Sequence, residues 1–246
     1  MITLADTDVI VLAGGKGTRI RAAIGDDLPK LLAPIQGRPY LEYLFDWLQD
    51  AGAARVILSL GHLADVIADY VTAHPRAGLK VDNVIEAAPM GTAGALRLVQ
   101  PHVVADVALV LNGDSWIDTD LGAFVGAHTA VGAGASVLCV AVSDVGRYGQ
   151  VALDDDGRIA AFLEKQSNAG PGLVNAGVYA ISQSGWDMIM GTPGKSLETD
   201  VFAQQPPGTL CAVDAGRVAF IDIGTPESLA QAADVIGKNK KMGEKA

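Results

Sequence analysis

The sequence predicts an α/β fold: a mixed, mostly parallel sheet flanked by helices, with a β-rich second half. Three observations carry that prediction. Between residues 9 and 111, short apolar runs alternate three times with segments of helical periodicity, the pattern of a parallel sheet covered on both faces by helices. The runs are nearly continuous in Val, Ile, Leu and Ala, as strands buried on both sides are. Beyond residue 134 strand patterns follow one another closely, and a turn signal marks a hairpin.

Each element has its own reason. Val9 to Ala13 is the first strand, and Gly14-Gly-Lys-Gly17 ends it abruptly. Glycine accepts φ > 0 and has no Cβ, so such a turn can curl closely round a bulky anion. Residues 20–28 mix small and charged types and read as a mobile cover. Pro39 suits the first turn of a helix. Tyr40, Leu41, Leu44, Phe45 and Leu48 share one face of it, and Gly52 is its stop. Arg55 to Leu60 is the second strand, followed by a helix over Leu63 to Thr72 with Leu63, Val66, Ile67, Tyr70 and Val71 on one face. Leu79 to Ile85 is a strand, Thr92 to Leu98 a helix and Val107 to Leu111 a strand. In the second half, Gly134 to Val142 is a strand. Gly149 to Leu153 and Arg158 to Leu163 flank the hairpin turn Asp154-Asp-Asp-Gly157. Leu173 to Ile181 and Val218 to Ile223 are further strands, and Pro226 to Ile236 is the closing helix. The Lys-rich end after Ile236 is expected to fray.

Composition narrows the class. Half of the 246 residues are hydrophobic but only 5% are aromatic, so aliphatic side chains must build the core. A net charge of −10 argues against a nucleic-acid partner, whose phosphates attract basic surfaces. It leaves room for a nucleotide, which needs only local positive charge. Two cysteines, Cys139 and Cys211, each lie in an apolar run and are expected as reduced core residues of a cytoplasmic protein. No signal-peptide pattern and no apolar run of about 18 residues appears, so no membrane span is expected. His62, His74, His102 and His128 lack ligand spacing.

Ligands of parallel sheets bind at the carboxyl ends of the strands. The glycine turn, the Gly91 segment and Asn112-Gly-Asp114 all fall there. Lys16, Arg19 and Lys30 place three cations beside the turn, which therefore suits nucleotide phosphates. Two familiar phosphate loops do not fit: Lys16 is followed by Gly17 rather than Ser or Thr, and Ile20 stands where a dinucleotide fingerprint needs its third glycine. Asp114 follows one buried strand and Asp222 another, in Phe220-Ile-Asp-Ile-Gly224. Carboxylates so placed can hold a hard cation such as Mg²⁺, which takes one or two of them plus substrate phosphates.

Leu12-Ala-Gly-Gly-Lys-Gly-Thr-Arg19 with the downstream Pro29-Lys30 resembles the signature of the sugar-1-phosphate nucleotidyltransferases, and the resemblance spans almost the whole chain. It implies a Rossmann-like, glycosyltransferase-A-like fold in a single domain over residues 1–246. A nucleotide half would occupy about 1–130, a sugar half about 131–237, and a flexible tail 238–246. It implies attack by a sugar-1-phosphate oxygen on the α-phosphorus of a nucleoside triphosphate, with Mg²⁺ on Asp114 and Asp222. Arg19 would meet the triphosphate and Lys30 the α-phosphate region. Leu12, Ala13, Gly14, Gly15, Gly17 and Thr18 would line the nucleotide, as would Asn112 and Gly113. Gly91, Thr92 and Ala93 would approach the base, with Glu86 beside them. The sugar side would be Gly149, Glu164, Lys165 and Asn175, although Gln166 replaces the proline usual after Glu-Lys in the family. Lys16 fills a slot that varies among relatives.

Pro29 to Leu44 and Leu58-Ser-Leu-Gly-His62 look most like the guanylyltransferases of D-glycero-α-D-manno-heptose 1-phosphate, which implies GTP as donor. Mannose 1-phosphate and N-acetylmuramate 1-phosphate enzymes are the nearest alternatives. A catalytically silent nucleotide-sugar sensor is another class of answer, opposed by the presence of Arg19, Lys30, Asp114 and Asp222. Cytidylyl transfer to small alcohol phosphates is a third, opposed by the hairpin-rich second half. Oligomeric state is left open, a homo-oligomer included.

Overall fold

The computed structural model describes residues 2–147, 150–163 and 170–236. In chain order the first half holds β1 (Asp8–Ala13), α1 (Arg21–Ile24), β2 (Pro34–Ile35), β3 (Arg38–Pro39) and α2 (Tyr40–Asp50). It continues with β4 (Arg55–Leu60), α3 (Ala64–Ala73), β5 (Lys80–Ile85), α4 (Gly91–Val99) and β6 (Val107–Asn112). Next come β7 (Ser115–Ile117), α5 (Leu121–Val131), β8 (Ala135–Val142), β9 (Gln150–Leu153), β10 (Ile159–Leu163) and β11 (Gly172–Ser182). The chain closes with α6 (Gln183–Gly191), β12 (Cys211–Asp214), β13 (Phe220–Asp222) and α7 (Pro226–Ile236).

The main sheet has nine strands, with β10, β9, β11, β6, β1, β4 and β5 in sequence, while β8 bridges β11 and β12. Strands β6, β1, β4 and β5 are mutually parallel, and the antiparallel β11 joins this block to the second half. Strand β1 explains the layering. Val9, Ile10 and Val11 are all fully buried, and the two-residue period of a strand sends them to opposite faces. Val9 and Val11 pack with Tyr40, Leu44 and Phe45 of α2 and with Phe124 of α5. Ile10 packs with Ala93 and Leu96 of α4 and with Trp186 of α6. Helices thus cover both faces, as the alternating pattern predicts.

Several elements differ from expectation for physical reasons. The segment 20–28 is not simply a cover: Ile20 is fully buried and pins the one-turn helix α1 against the body. Helix α3 begins at Ala64 because Leu63 takes a left-handed backbone, φ 56°. Its apolar face is narrower than predicted, since Val66 is exposed. Helix α5 was hidden because Leu121 to Val131 is apolar on nearly every side and shows no clean polar face. Strand β7 has only three residues, too few for a period to register. The hairpin β9–β10 forms antiparallel as predicted, with Ile159 opposite Leu153. Cys139 and Cys211 are buried and unpaired, and no described helix is long and apolar enough to cross a membrane. The predicted fraying end lies outside the described residues.

Candidate active site

The parallel register sets Leu60 beside Ala13 and Asn112 beside Leu12, so β1, β4 and β6 end together. The three chains leave the sheet there and wall a cavity of about 530 Å³. Leu12, Ala13, Gly14, Gly15, Lys16, Gly17, Thr18 and Arg19 form one side of it. Lys30, Glu86, Gly91, Thr92, Asn112, Gly113, Asp114 and Gly224 are among the residues that line its other sides. Of the three loop glycines only Gly17 takes φ > 0, at +58°.

Two acids converge at one edge of this cavity, and a small ladder explains how. Strand β7, immediately after Asp114, pairs antiparallel with β13, with Ser115 opposite Asp222. The Ile223 N–H donates to the Asp114 carbonyl at 2.9 Å, which extends the ladder. The wholly buried Tyr40 donates its hydroxyl to the Ser115 carbonyl at 2.9 Å and ties the same corner to α2. Lys30 follows Pro29 in a single tight turn anchored by the buried Leu31 and Leu32. Its ammonium group bridges to Asp114 and stands 3.9 Å from Asp222 Oδ1. Arg19 approaches from the loop, its Nη2 lying 3.1 Å from where a Cβ on Gly224 would be. Burial, followed by the Asp114 charge, holds the Asp222 carboxyl above the usual carboxylate range, while Lys30, the Gly224 N–H and Arg19 oppose that rise.

The far wall is built from the start of α4. Glu86 accepts the Met90 N–H at 3.1 Å. Thr92 accepts the Leu197 N–H at 2.7 Å. Ala93 does not reach the cavity: it is fully buried, and its N–H is held by the Lys195 carbonyl at 2.8 Å. Ala95 meets the cavity in its place. Gly91 has φ +73°, and a Cβ there would lie 2.5 Å from the Lys195 carbonyl oxygen. Gly91→Ala therefore combines left-handed strain with a backbone clash. It is expected to cost about 2–4 kcal/mol, a drop in Tm of roughly 5–15 °C in a chain of this size. A melt unchanged from wild type would show that this turn tolerates a side chain.

Of the residues expected to meet the sugar, Asn175 lies on β11 with its Oδ1 accepting the Gly177 N–H at 2.8 Å. Gly149, Glu164 and Lys165 lie outside the described residues. Ser196 caps its segment, accepting from the Thr199 N–H at 3.2 Å. The turn it starts, Leu197–Val201, is a single π-helical turn rather than an α-helix.

Residues 8–239 match the family model described as nucleotidyl transferase. The chain belongs to that family. One relative of this nucleotidyl transferase, the D-glycero-alpha-D-manno-heptose 1-phosphate guanylyltransferase of Campylobacter jejuni, is 34% identical over 225 residues, covering 89% of this chain and 95% of that protein. The mannose-1-phosphate guanylyltransferase of Mycobacterium tuberculosis is 31% identical over 236 residues, but this chain spans only 64% of its length. The crystal structure of HddC from Yersinia pseudotuberculosis complexed with GMP-PN superposes with a TM-score of 0.81 at 34% identity, covering 95% of this chain and 99% of that one.

The donor set of this nucleotidyl transferase can be tested against a metal. Among the described residues no group of three or more His, Cys, Asp or Glu side chains could hold one alone. Asp114 and Asp222 therefore fit a hard divalent cation that takes its remaining ligands from substrate phosphates and water, and they do not fit a protein-only cage. The sequence reading gave His62 and Arg21 no place at the site. His62 lines it, and Arg21 Nη2 lies 3.2 Å from His62 Nε2 and 3.3 Å from the Lys16 carbonyl. That fork fastens the glycine loop to the end of β4. The signal was available: His62 directly follows Gly61 at the end of a predicted strand.

Proposed function

We propose that this chain transfers the guanylyl group of GTP onto D-glycero-α-D-manno-heptose 1-phosphate, releasing pyrophosphate. The observation that carries the reading is the meeting of Asp114, Asp222 and Lys30 at the edge of a cavity walled by the glycine loop. A phosphate oxygen of the sugar attacks the α-phosphorus, and the bond from that phosphorus to the β-bridging oxygen breaks. Pyrophosphate leaves with the electron pair. Such transfers depend on alignment and charge neutralisation more than on a strong base. Arg19 and the loop amides of Gly14, Gly15 and Gly17 would hold the triphosphate, and Lys30 the α-phosphate. Asp114 and Asp222 would hold Mg²⁺, which supplies further charge neutralisation between the two phosphates. Asn175, with Gly149, Glu164 and Lys165, would take the sugar.

The base reading has its own physical support. A carboxylate only accepts hydrogen bonds, so Glu86 in the cavity wall favours a base edge rich in donors, and guanine has one. The reading places both substrates in one domain, the nucleotide on residues up to about 130 and the sugar beyond them. A reducing, cytoplasmic setting suits its two unpaired cysteines.

The deciding experiment is a matrix of GTP, UTP, dTTP and CTP against heptose, mannose and glucose 1-phosphates, read by pyrophosphate release. GTP with the heptose phosphate is expected to give the highest kcat/KM. Preference for mannose 1-phosphate would move the acceptor and keep the chemistry. Tight GTP binding with no pyrophosphate from any pair would replace the enzyme by a sensor.

A further inference from the structure

Glu198 lies outside the cavity wall, yet a chain of hydrogen bonds leads from it to Asn175 of the candidate site. Its Oε1 accepts the Tyr179 hydroxyl at 2.6 Å, and its Oε2 accepts Ser196 Oγ at 3.1 Å and Thr92 Oγ1 at 3.4 Å. Tyr179 is wholly buried in β11, its ring held edge-on against Phe202 at 5.7 Å. The same hydroxyl oxygen receives Asn175 Nδ2 at 2.9 Å.

The chemistry of these groups leaves one arrangement. An ionised carboxylate has no proton to give, so the Tyr179 proton is committed to Glu198. The phenol oxygen is then left only as an acceptor, and the Asn175 amide must turn its NH₂ group toward it. For Asn175 the other end agrees, since its Oδ1 already accepts the Gly177 N–H at 2.8 Å. We infer that Glu198 is a positioning residue: through the Tyr179 hydroxyl it holds Asn175 with Nδ2 donating and Oδ1 accepting, and so sets the hydrogen-bond polarity that the sugar 1-phosphate meets. The inference rests on the functional reading above in taking Asn175 as a sugar contact. Burial, with the Glu198 carboxylate next, holds the Tyr179 phenol well above its ordinary range, so the proton stays in place at any assay pH. Thr92 keeps its 2.7 Å bond from Leu197 N without Glu198, so the base side retains an anchor of its own.

The variants Glu198→Ala, Glu198→Gln and Tyr179→Phe separate this role from simple packing. Glu198→Ala frees the phenol proton to donate to the Asn175 amide oxygen, so that this amide can turn over at the expense of its bond from Gly177. KM for the sugar 1-phosphate is expected to rise about tenfold or more, with KM for GTP within about threefold of wild type. Glutamine can still accept the phenol proton through its amide oxygen, so Glu198→Gln should recover most of the loss, and Tyr179→Phe should reproduce the alanine split. Equal changes in both KM values, or a loss confined to the active fraction, would overturn the assignment. A second readout does not need turnover. The Tyr179 hydroxyl proton should give a slowly exchanging downfield NMR signal in wild type that vanishes in Tyr179→Phe and Glu198→Ala. Its absence from wild type would refute the proton placement. If wild type turned over no substrate pair, the functional reading would fall, while this signal and the Asn175 side-chain amide shifts would still decide the orientation.

Discussion

Asp114→Ala is expected to lower pyrophosphate release by about 10³-fold with a melting temperature within a few degrees of wild type. The separation of the two effects follows from where the residue is held. Its backbone is fixed independently of its carboxyl group: the Gly113 N–H bonds to the Leu12 carbonyl at 2.9 Å, and the Asp114 carbonyl accepts from Ile223 at 2.9 Å. Its side chain is about one-third exposed, and the partner it leaves, Lys30, retains Asp222 at 3.9 Å. In the proposed reaction what disappears is one of two carboxylates that would face the phosphates, and a charge that acts only on the reacting groups is lost from kcat rather than from folding. GTP binding should weaken far less, because the loop amides and Arg19 are untouched. Asp114→Asn keeps the volume and should fail in the same way. Turnover within about tenfold of wild type for either variant, at normal melting temperature, would remove Asp114 from the reaction.

Most of the strand-and-loop frame was readable from the chain because its signals are local. An unbroken apolar run such as Val107 to Leu111 has few other uses, and it predicts a buried parallel strand. The glycine turn and its neighbouring cations can be read for the same reason. Pairing over long distances in the sequence could not be read. Nothing in Ser115-Trp-Ile117 announces that it will lie antiparallel to Phe220–Asp222, yet that register is what brings the two acids to one place. The convergence of Asp114 and Asp222 was therefore carried by motif likeness, and its physical cause emerges only from the ladder. Glu198 shows the opposite difficulty. Ser196-Leu-Glu-Thr-Asp200 is a sound capping pattern, and Ser196 does cap. Its Glu198 has a second use that no spacing rule reveals, because Tyr179 and Thr92 arrive from other elements. Ala93 failed for a third reason. In a helix start of small residues, composition does not tell which face turns to the ligand and which to the core.

Lys30→Gln is the other change with a large expected effect, and it tests charge balance rather than ligation. Lys30 compensates two carboxylates at once. Turnover should fall about 10²–10³-fold, the usual loss when a cation aimed at developing phosphate charge is removed. The stability consequence has a definite sign. Asp222 already sits above its ordinary value of 3.8, chiefly through burial and then through Asp114, and Lys30 is the first charge opposing that rise. Without Lys30 the carboxyl must go higher still. An acid whose folded value exceeds its unfolded value favours the fold while protonated. That contribution is complete below 3.8 and is lost as pH rises through the elevated folded value. The variant should therefore melt below wild type at neutral pH, and the gap should close as pH falls toward 4, where Asp222 takes up its proton and no longer needs the ammonium group. Lys30→Arg keeps the charge on a broader, planar head, so it should restore much of the neutral-pH stability and little of the turnover. A melting deficit that widened on acidification would contradict this balance, since the ammonium would then be stabilising something other than the crowded carboxylates beside it.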